Sequence, residues 1–216
     1  MTILIRILCV IIGYGFGLFQ TGYLYGRSQG VDIRTKGSGN TGATNALRVF
    51  GLKGGLIVLF FDALKAFLPC LAVRLIFKGD PYWIVYLVYV ALGVALGNNY
   101  PCWLQFKGGK GVATTLGWAL AWDPLSTGIG LVWFFFVAVT TGYVSLASIT
   151  TALGVVALAL VYGYRTFVSP FESPVFIEFF LMVVVLMTLL ILRHRSNIRR
   201  LFSGTENRFG HKKKES

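Results

Sequence analysis

The residues Phe106-Lys107-Gly108-Gly109-Lys110-Gly111-Val112-Ala113-Thr114 set three glycines and two lysines between long apolar runs. That composition suits a phosphate. Glycine lets successive backbone N–H groups turn toward one anion, and lysine supplies positive charge without demanding a fixed fork geometry. A helix beginning near Val112 would add its N-terminal amides and dipole. A basic loop with glycines at helix ends accounts for the same residues in purely structural terms.

Two further polar stretches could take part. Gly37-Ser38-Gly39-Asn40-Thr41-Gly42-Ala43-Thr44-Asn45-Ala46-Leu47-Arg48 formally contains GxGxxG. The dinucleotide fingerprint needs a preceding buried strand and a βαβ unit, whereas Gly30 to Lys36 is a charged loop after an apolar run. What remains is a glycine-rich turn with Ser38, Asn40, Thr44 and Asn45 as hydrogen-bonding groups and Arg48 as a fixed charge. A helix capped near Asn40 or Thr41 is compatible with that role. Near the C-terminus, His194 and Asn197 are three residues apart and share one helical face. The arginines around them, Arg199 and Arg200 with Lys212 to Lys214, read as a stop-transfer cluster.

The elements that must carry these stretches are membrane spans. Of 216 residues, 56% are hydrophobic and 13% charged, and the mean hydropathy is +0.71, more apolar material than one soluble core of this size requires. The apolar runs are Ile3 to about Tyr25, Leu56 to Phe77, Tyr82 to Leu96, Val112 to Trp122, Leu125 to Thr141, Leu146 to Tyr164 and Val175 to Leu192. Most are long enough for a hydrocarbon core of roughly 30 Å, and Val112 to Trp122 needs tilt or a partly re-entrant start. Asp62 and Lys65 fall on one face of the second span and read as a mutually neutralising pair. Glycines 13, 15, 17 and 22 suggest close helix packing. The chain is expected to be all-α, a single polytopic membrane domain over 1–216 with seven transmembrane helices and a basic cytoplasmic tail from about 193.

Charge orients this arrangement. The net charge is +12, yet Lys and Arg sit in short gaps between apolar runs rather than in a stripe, which argues for anionic lipid head groups and small phosphates and against nucleic acid. Arg27, Arg34, Lys36, Arg48, Lys53, Lys107, Lys110 and the tail from Arg193 fall on one side in the seven-span count. Arg6, Arg74, Lys78 and Arg165 fall on the other. The positive-inside rule then puts both glycine-rich loops and the C-terminus in the cytoplasm and the N-terminus outside. Cys9, Cys70 and Cys102 show neither CxxC spacing nor a nearby His cluster, so neither a disulfide framework nor a metal site is expected.

Taken together, Ser38 to Asn45 with Arg48, Phe106 to Thr114, Val144-Ser145-Leu146-Ala147-Ser148-Ile149, and His194-Arg195-x-Asn197-Ile198-x-Arg200-Leu201 resemble, in order and spacing, the bacterial acyl-phosphate:glycerol-3-phosphate acyltransferase family of the PlsY type. Phe60-x-Asp62-x-Leu64-Lys65 also resembles that family's second helix, and the likeness extends to about Phe209. The resemblance implies seven spans with an outside N-terminus, and a bacterial inner (plasma) membrane protein with its site on the cytoplasmic face. It implies transfer of a fatty acyl group from acyl phosphate to the 1-position of sn-glycerol 3-phosphate, giving lysophosphatidic acid and phosphate, the first step of phospholipid synthesis. Catalytic roles carry over to Ser38, Arg48, Lys107, His194 and Asn197. Substrate-binding roles carry over to Gly39, Asn40, Thr44, Asn45, Gly108, Gly109, Lys110, Gly111 and Ser145. No cofactor or metal is implied; membrane lipids and enzymes supplying acyl phosphate are the implied neighbours.

The chain departs from that pattern at two places. Asn98 stands where the family usually has the histidine of Gly-His-x-x-Pro, and Ser196 where a carboxylate usually precedes the asparagine. Asparagine cannot carry a proton and serine cannot neutralise an arginine. Besides the enzyme, two other readings are kept: a catalytically impaired relative binding glycerol phosphate or lipid phosphate, which these departures motivate, and a small transporter, which seven spans alone would suggest. Polar groups gathered at one membrane face argue against a carrier, which would place them near the midplane. An acyl phosphate is already activated, so holding two phosphates and orienting a hydroxyl would suffice. No GxSxG elbow is present to suggest an acyl-enzyme.

Overall fold

The computed structural model describes residues 2–208, which form helices joined by loops, with no strand among them. The Lys212 to Lys214 run lies outside the described residues. Nine α-helices follow in order among the described residues: α1 (Thr2–Gly17), α2 (Thr21–Ser28), α3 (Ala43–Ile76), α4 (Trp83–Asn99), α5 (Val112–Trp122), α6 (Pro124–Thr141), α7 (Val144–Thr166), α8 (Pro174–Arg193) and α9 (Arg195–Phe202). Among the described residues, six apolar helical segments are long enough to cross a membrane: Ile3–Ser28, Ala43–Ile76, Trp83–Leu104 and the whole of α6, α7 and α8. α5 has only 11 residues and rises roughly 16 Å, about half a hydrocarbon core.

Local residues set several boundaries. Asp123 caps α6 by accepting from the Leu125 amide and Pro124 opens the first turn, while Ser173 and Pro174 repeat the arrangement at α8. Both prolines stand where a missing N–H costs nothing. α6 ends on Gly142, whose φ of 76° is left-handed. α4 is buried on all sides except at isolated positions, as its lack of a polar face requires. α1 packs directly on it because glycine meets glycine. A Cβ on Gly13 would lie 3.1 Å from the Gly93 Cα, and one on Gly17 would lie 2.8 Å from the Gly97 Cα. The small residues thus bring the two backbones together.

Two expected elements differ. The first apolar run is not one continuous helix. It breaks between Gly17 and Thr21, where buried Gln20 donates to the carbonyls of Gly17 (3.0 Å), Gly97 (3.3 Å) and Asn98 (3.2 Å) and accepts from Thr41 Oγ1 (3.1 Å). A buried amide must find such partners, and here they lie across the break. The second difference is that the helix expected to start near Asn40 or Thr41 starts at Ala43 and runs on into the second span. It bends at Gly51, whose φ of 74° only glycine adopts readily.

Asp62 and Lys65 form the expected pair, 2.7 Å apart and buried. Lys65 Nζ also donates to the Phe19 carbonyl (2.6 Å) and to Asn98 Oδ1 (2.9 Å), and Thr21 Oγ1 donates to Asp62 (2.8 Å). All three ammonium protons are therefore engaged, which ties the α1–α2 break, α3 and α4 into one unit.

Candidate functional site

The first glycine-rich stretch is shaped by Asn45. Its Nδ2 donates to the carbonyls of Ile33 (3.3 Å), Lys36 (3.1 Å) and Asn40 (2.8 Å), and its Oδ1 accepts from the Ser38 amide (2.7 Å). One buried side chain thus holds the loop that presents Ser38. Gly37 and Gly39 supply left-handed turns at φ 59° and 72°. Upstream, Asp32 accepts from the Arg34 amide and pairs with its guanidinium at 2.7 Å. The Arg34 hydrogen bond holds the Asp32 carboxyl down at about 2. Asn40 Nδ2 reaches the Gly108 carbonyl at 3.4 Å, so the first loop touches the second.

The second stretch is built differently from a simple cradle of glycine amides. The N–H of Gly108 donates to the Asn99 carbonyl (3.3 Å) and that of Gly109 to the Asn98 carbonyl (2.8 Å). A Cβ on Gly108 would come within 2.6 Å of Pro101 Cδ, so a side chain is excluded at this crossing. The two glycine carbonyls accept from Arg193 at 3.0 to 3.2 Å, and the Arg193 guanidinium lies 5.0 Å from the Tyr100 ring centre. These two amides are therefore turned inward. Among the donors left for an anion are those at the start of α5, which follow Gly111 at φ 90° and have no intrahelical acceptor.

The third stretch closes over that helix start. His194 joins α8 to α9 and is 2% exposed. Its Nδ1 lies 2.8 Å from the Leu190 carbonyl. A carbonyl can only accept, so Nδ1 carries the proton and Nε2 keeps a lone pair in the neutral ring. Burial, then the nearby Lys110 charge, push the imidazole down to about 4, against the Leu190 bond.

Lys110 Nζ donates to Asn197 Oδ1, and Asn197 Nδ2 donates to Glu206 Oε1 at 2.7 Å. Ser145 Oγ donates to the same Glu206 oxygen (3.0 Å) and Arg200 Nε to Oε2 (2.7 Å). Burial pushes Lys110 down to about 8; the charges of Arg200, Arg48 and Arg193 act in the same direction and Glu206 opposes them. Burial alone would raise the Glu206 carboxyl, yet the bonds from Asn197, Arg200 and Ser145 outweigh it and hold the group ionised.

Lys110, His194, Asn197 and Ser145 therefore converge, and Arg48 lies within charge reach of Glu206 and Arg200. Ser38, Gly39, Arg48 and Lys107 are exposed, with Thr44 half-buried in the first turn of α3. Glu206, Arg193 and Arg200 are the residues that sequence reasoning missed or gave to the stop-transfer cluster. A signal did exist, since Glu206 is the one acid between Arg193 and Arg208. Ser196 is exposed, and the carboxylate beside Asn197 and Arg200 comes instead from Glu206. No group of three or more His, Cys, Asp or Glu gathers among the described residues.

Beneath this cluster lies an apolar groove between α5, α6 and α7, lined among others by Val112, Leu116, Ala119, Trp122, Phe134 and Val155. Leu190 also lines it, and the carbonyl of that residue receives the His194 ring. Polar centre and groove thus share a wall.

Residues 7–204 match the family described as glycerol-3-phosphate acyltransferase. A glycerol-3-phosphate acyltransferase of Geobacter sulfurreducens is 42% identical over 199 residues, covering 92% of this chain and 94% of its own. One of Aquifex aeolicus is 40% identical over 200 residues, covering 93% and 97%. Among solved structures, PlsY, an integral membrane glycerol 3-phosphate acyltransferase, superposes in its glycerol 3-phosphate form with a TM-score of 0.83 at 39% identity, covering 95% of this chain and 96% of that one. Its lysophosphatidic acid form gives 0.81 at 38%, covering 95% of each. A match over most of the chain, with an all-helical membrane fold to carry it, means that this chain belongs to the glycerol-3-phosphate acyltransferase family.

Proposed function

We propose that this membrane acyltransferase takes its acyl group from an acyl phosphate and places it on the 1-hydroxyl of sn-glycerol 3-phosphate, opening phospholipid synthesis. The observation that carries this reading is the convergence of Lys110, Arg48, Arg200 and the start of α5 above an uncharged groove. Cations at the mouth suit phosphates and the groove suits a fatty chain. The glycerol 3-phosphate and lysophosphatidic acid forms of the PlsY neighbour support this acceptor and product.

In this reading Lys110, Arg48, Lys107 and the α5 amides neutralise the two phosphates, while the loop bearing Ser38, Gly39 and Thr44 closes the other side. Asn45 and Asn197 position rather than react, since their polar atoms already hold the Ser38 loop and Lys110. The glycerol oxygen attacks the acyl carbon, the bond from that carbon to the phosphate oxygen breaks, and phosphate leaves with the electron pair. His194 Nε2 accepts a hydrogen bond from the hydroxyl and aims it. With the ring held at about 4, a phosphate oxygen is the stronger base, since phosphate monoesters have a second pKa of about 6, and it receives the proton.

The charge distribution supports one membrane domain with seven crossings in which α5 and the loop before it count as one, the N-terminus outside and the site cytoplasmic. Bacterial relatives support the plasma membrane as its location.

The test is purified protein with palmitoyl phosphate and glycerol 3-phosphate, reading phosphate and lysophosphatidate together. Equal release of both is expected. Turnover with palmitoyl-CoA and none with palmitoyl phosphate would sink the donor assignment, and binding without turnover would favour an impaired relative.

A further inference from the structure

The groove has a polar mouth and an aromatic floor. Ser148, which lines it, is one helical turn beyond Ser145, and Leu190, which also lines it, lies one turn before His194. From Ser148 the lining continues along α7 to Leu158, and from Ala113 along α5 to Trp122. Both paths run roughly 15 Å at 1.5 Å per residue. One lipid tail occupies about the same length, half of a hydrocarbon core of about 30 Å.

Trp122 is braced as a floor should be. It is buried, stacked on Trp118 with ring centres 5.7 Å apart, and held by Tyr162 and Phe179 at 5.3 and 5.4 Å. The hydroxyls that line the groove are mostly occupied by their own helices: Ser148 donates to the Val144 carbonyl, Ser126 to Asp123 Oδ2 and Thr127 to the Asp123 carbonyl. The groove holds no charged residue. Part-way up, Gly130 of α6 leaves a gap, for a Cβ there would meet only Thr151 Cγ2, at 3.8 Å.

Building on the acyl-donor reading above, we propose that Trp122 and Gly130 set the acyl-chain length this enzyme prefers, Trp122 by closing the groove and Gly130 by leaving its middle open. A leucine at 130 would fill space the chain needs, and a smaller residue at 122 would deepen the slot. Neither position touches the cationic mouth, so use of glycerol 3-phosphate should not change.

The experiment offers lauroyl, palmitoyl and arachidoyl phosphate in competition to wild type, Gly130→Leu and Trp122→Leu. Gly130→Leu should lower kcat/KM for palmitoyl relative to lauroyl phosphate by about tenfold or more, the scale on which a few methylenes are sorted by an apolar pocket. KM for glycerol 3-phosphate should stay unchanged. Trp122→Leu should raise arachidoyl relative to palmitoyl phosphate. Trp122 lies in an aromatic stack and its variant can fail to fold; Gly130→Leu, placed in open space, then decides alone. A folded Gly130→Leu enzyme whose chain-length profile parallels the wild type overturns the proposal while leaving the donor reading intact. A wild type silent with all three donors overturns the donor reading and the gauge with it.

Discussion

The Lys110 ammonium donates to the Oδ1 of Asn197, joining the glycine loop to the start of α9 across 87 residues of sequence. Asn197 in turn is held by Glu206, so the lysine's position and its charge depend on a carboxylate that does not touch it. Arg200 from α9, Arg48 from α3 and Arg193 from α8 all face Lys110 and disfavour its charge; Glu206 favours it.

A pH dependence follows. With its ammonium held at about 8, Lys110 is charged below that pH and neutral above it. If charged Lys110 binds the polyol phosphate, kcat/KM for glycerol 3-phosphate falls as pH rises through about 8. Glu206→Gln removes the favourable charge, lowers the lysine further and moves this alkaline limb to lower pH, by about one unit. Glu206→Asp should move it less. Superposable alkaline limbs for wild type and Glu206→Gln would count against the coupling.

Lys110→Ala tests the same contact directly. A charged hydrogen bond contributes about 1.5 to 3 kcal/mol, so KM for glycerol 3-phosphate should rise roughly ten- to a hundredfold, with a smaller effect on the acyl donor. An unchanged variant removes the phosphate-binding role.

How far the residues revealed this site depended on distance along the chain. Lys107 to Gly111 and Ser38 to Arg48 stood out because glycine and charge interrupt apolar runs, and Asp62 with Lys65 because buried charges must meet. The third partner of that pair, Asn98, is 33 positions away, and no helical periodicity links them. Glu206 was hidden in a basic tail whose arginines have a sufficient explanation in membrane anchoring. The inward turn of the Gly108 and Gly109 amides comes from Asn98 and Asn99 at the end of α4, a tertiary fact that composition does not encode. The break at Gln20 is similar, since its partners lie on α4 and at Thr41.

Asn45 should prove a positioning residue. Asn45→Ala removes four hydrogen bonds to the loop and leaves buried carbonyls bare, which costs about 1 to 3 kcal/mol for an unsatisfied group. Asn45→Asp should be no milder, because a carboxylate can accept from Ser38 but cannot donate to the three carbonyls. Thermal unfolding in detergent checks both, and a fully stable Asn45→Asp would show that the loop holds without these bonds.

Orientation is open to chemical labelling. Thr35 and Ser203 are exposed, and cysteines placed there should resist an impermeant reagent applied to intact cells if both face the cytoplasm. Cys102 is exposed as well and must be replaced first. Labelling of both positions from outside would invert the topology.

The last prediction concerns Asn98, where related chains were expected to carry histidine. Here Asn98 Oδ1 accepts from Lys65 (2.9 Å) and Nδ2 donates to Asn99 (3.1 Å), while its backbone carbonyl receives the Gly109 amide. It is 4% exposed, so its task is to satisfy a buried lysine and steady the glycine loop. A neutral imidazole offers one acceptor and one donor and can take over both contacts. Asn98→His should therefore change the rate by no more than a few fold. Asn98→Leu takes an acceptor from buried Lys65 and should destabilise the protein by about 1 to 3 kcal/mol. Were position 98 instead the proton acceptor, the native chain would be nearly silent and Asn98→His would raise activity by about a hundredfold or more. Parallel rate and unfolding measurements on the two variants separate these outcomes, because the structural role moves stability in Asn98→Leu whereas the catalytic role moves the rate in Asn98→His.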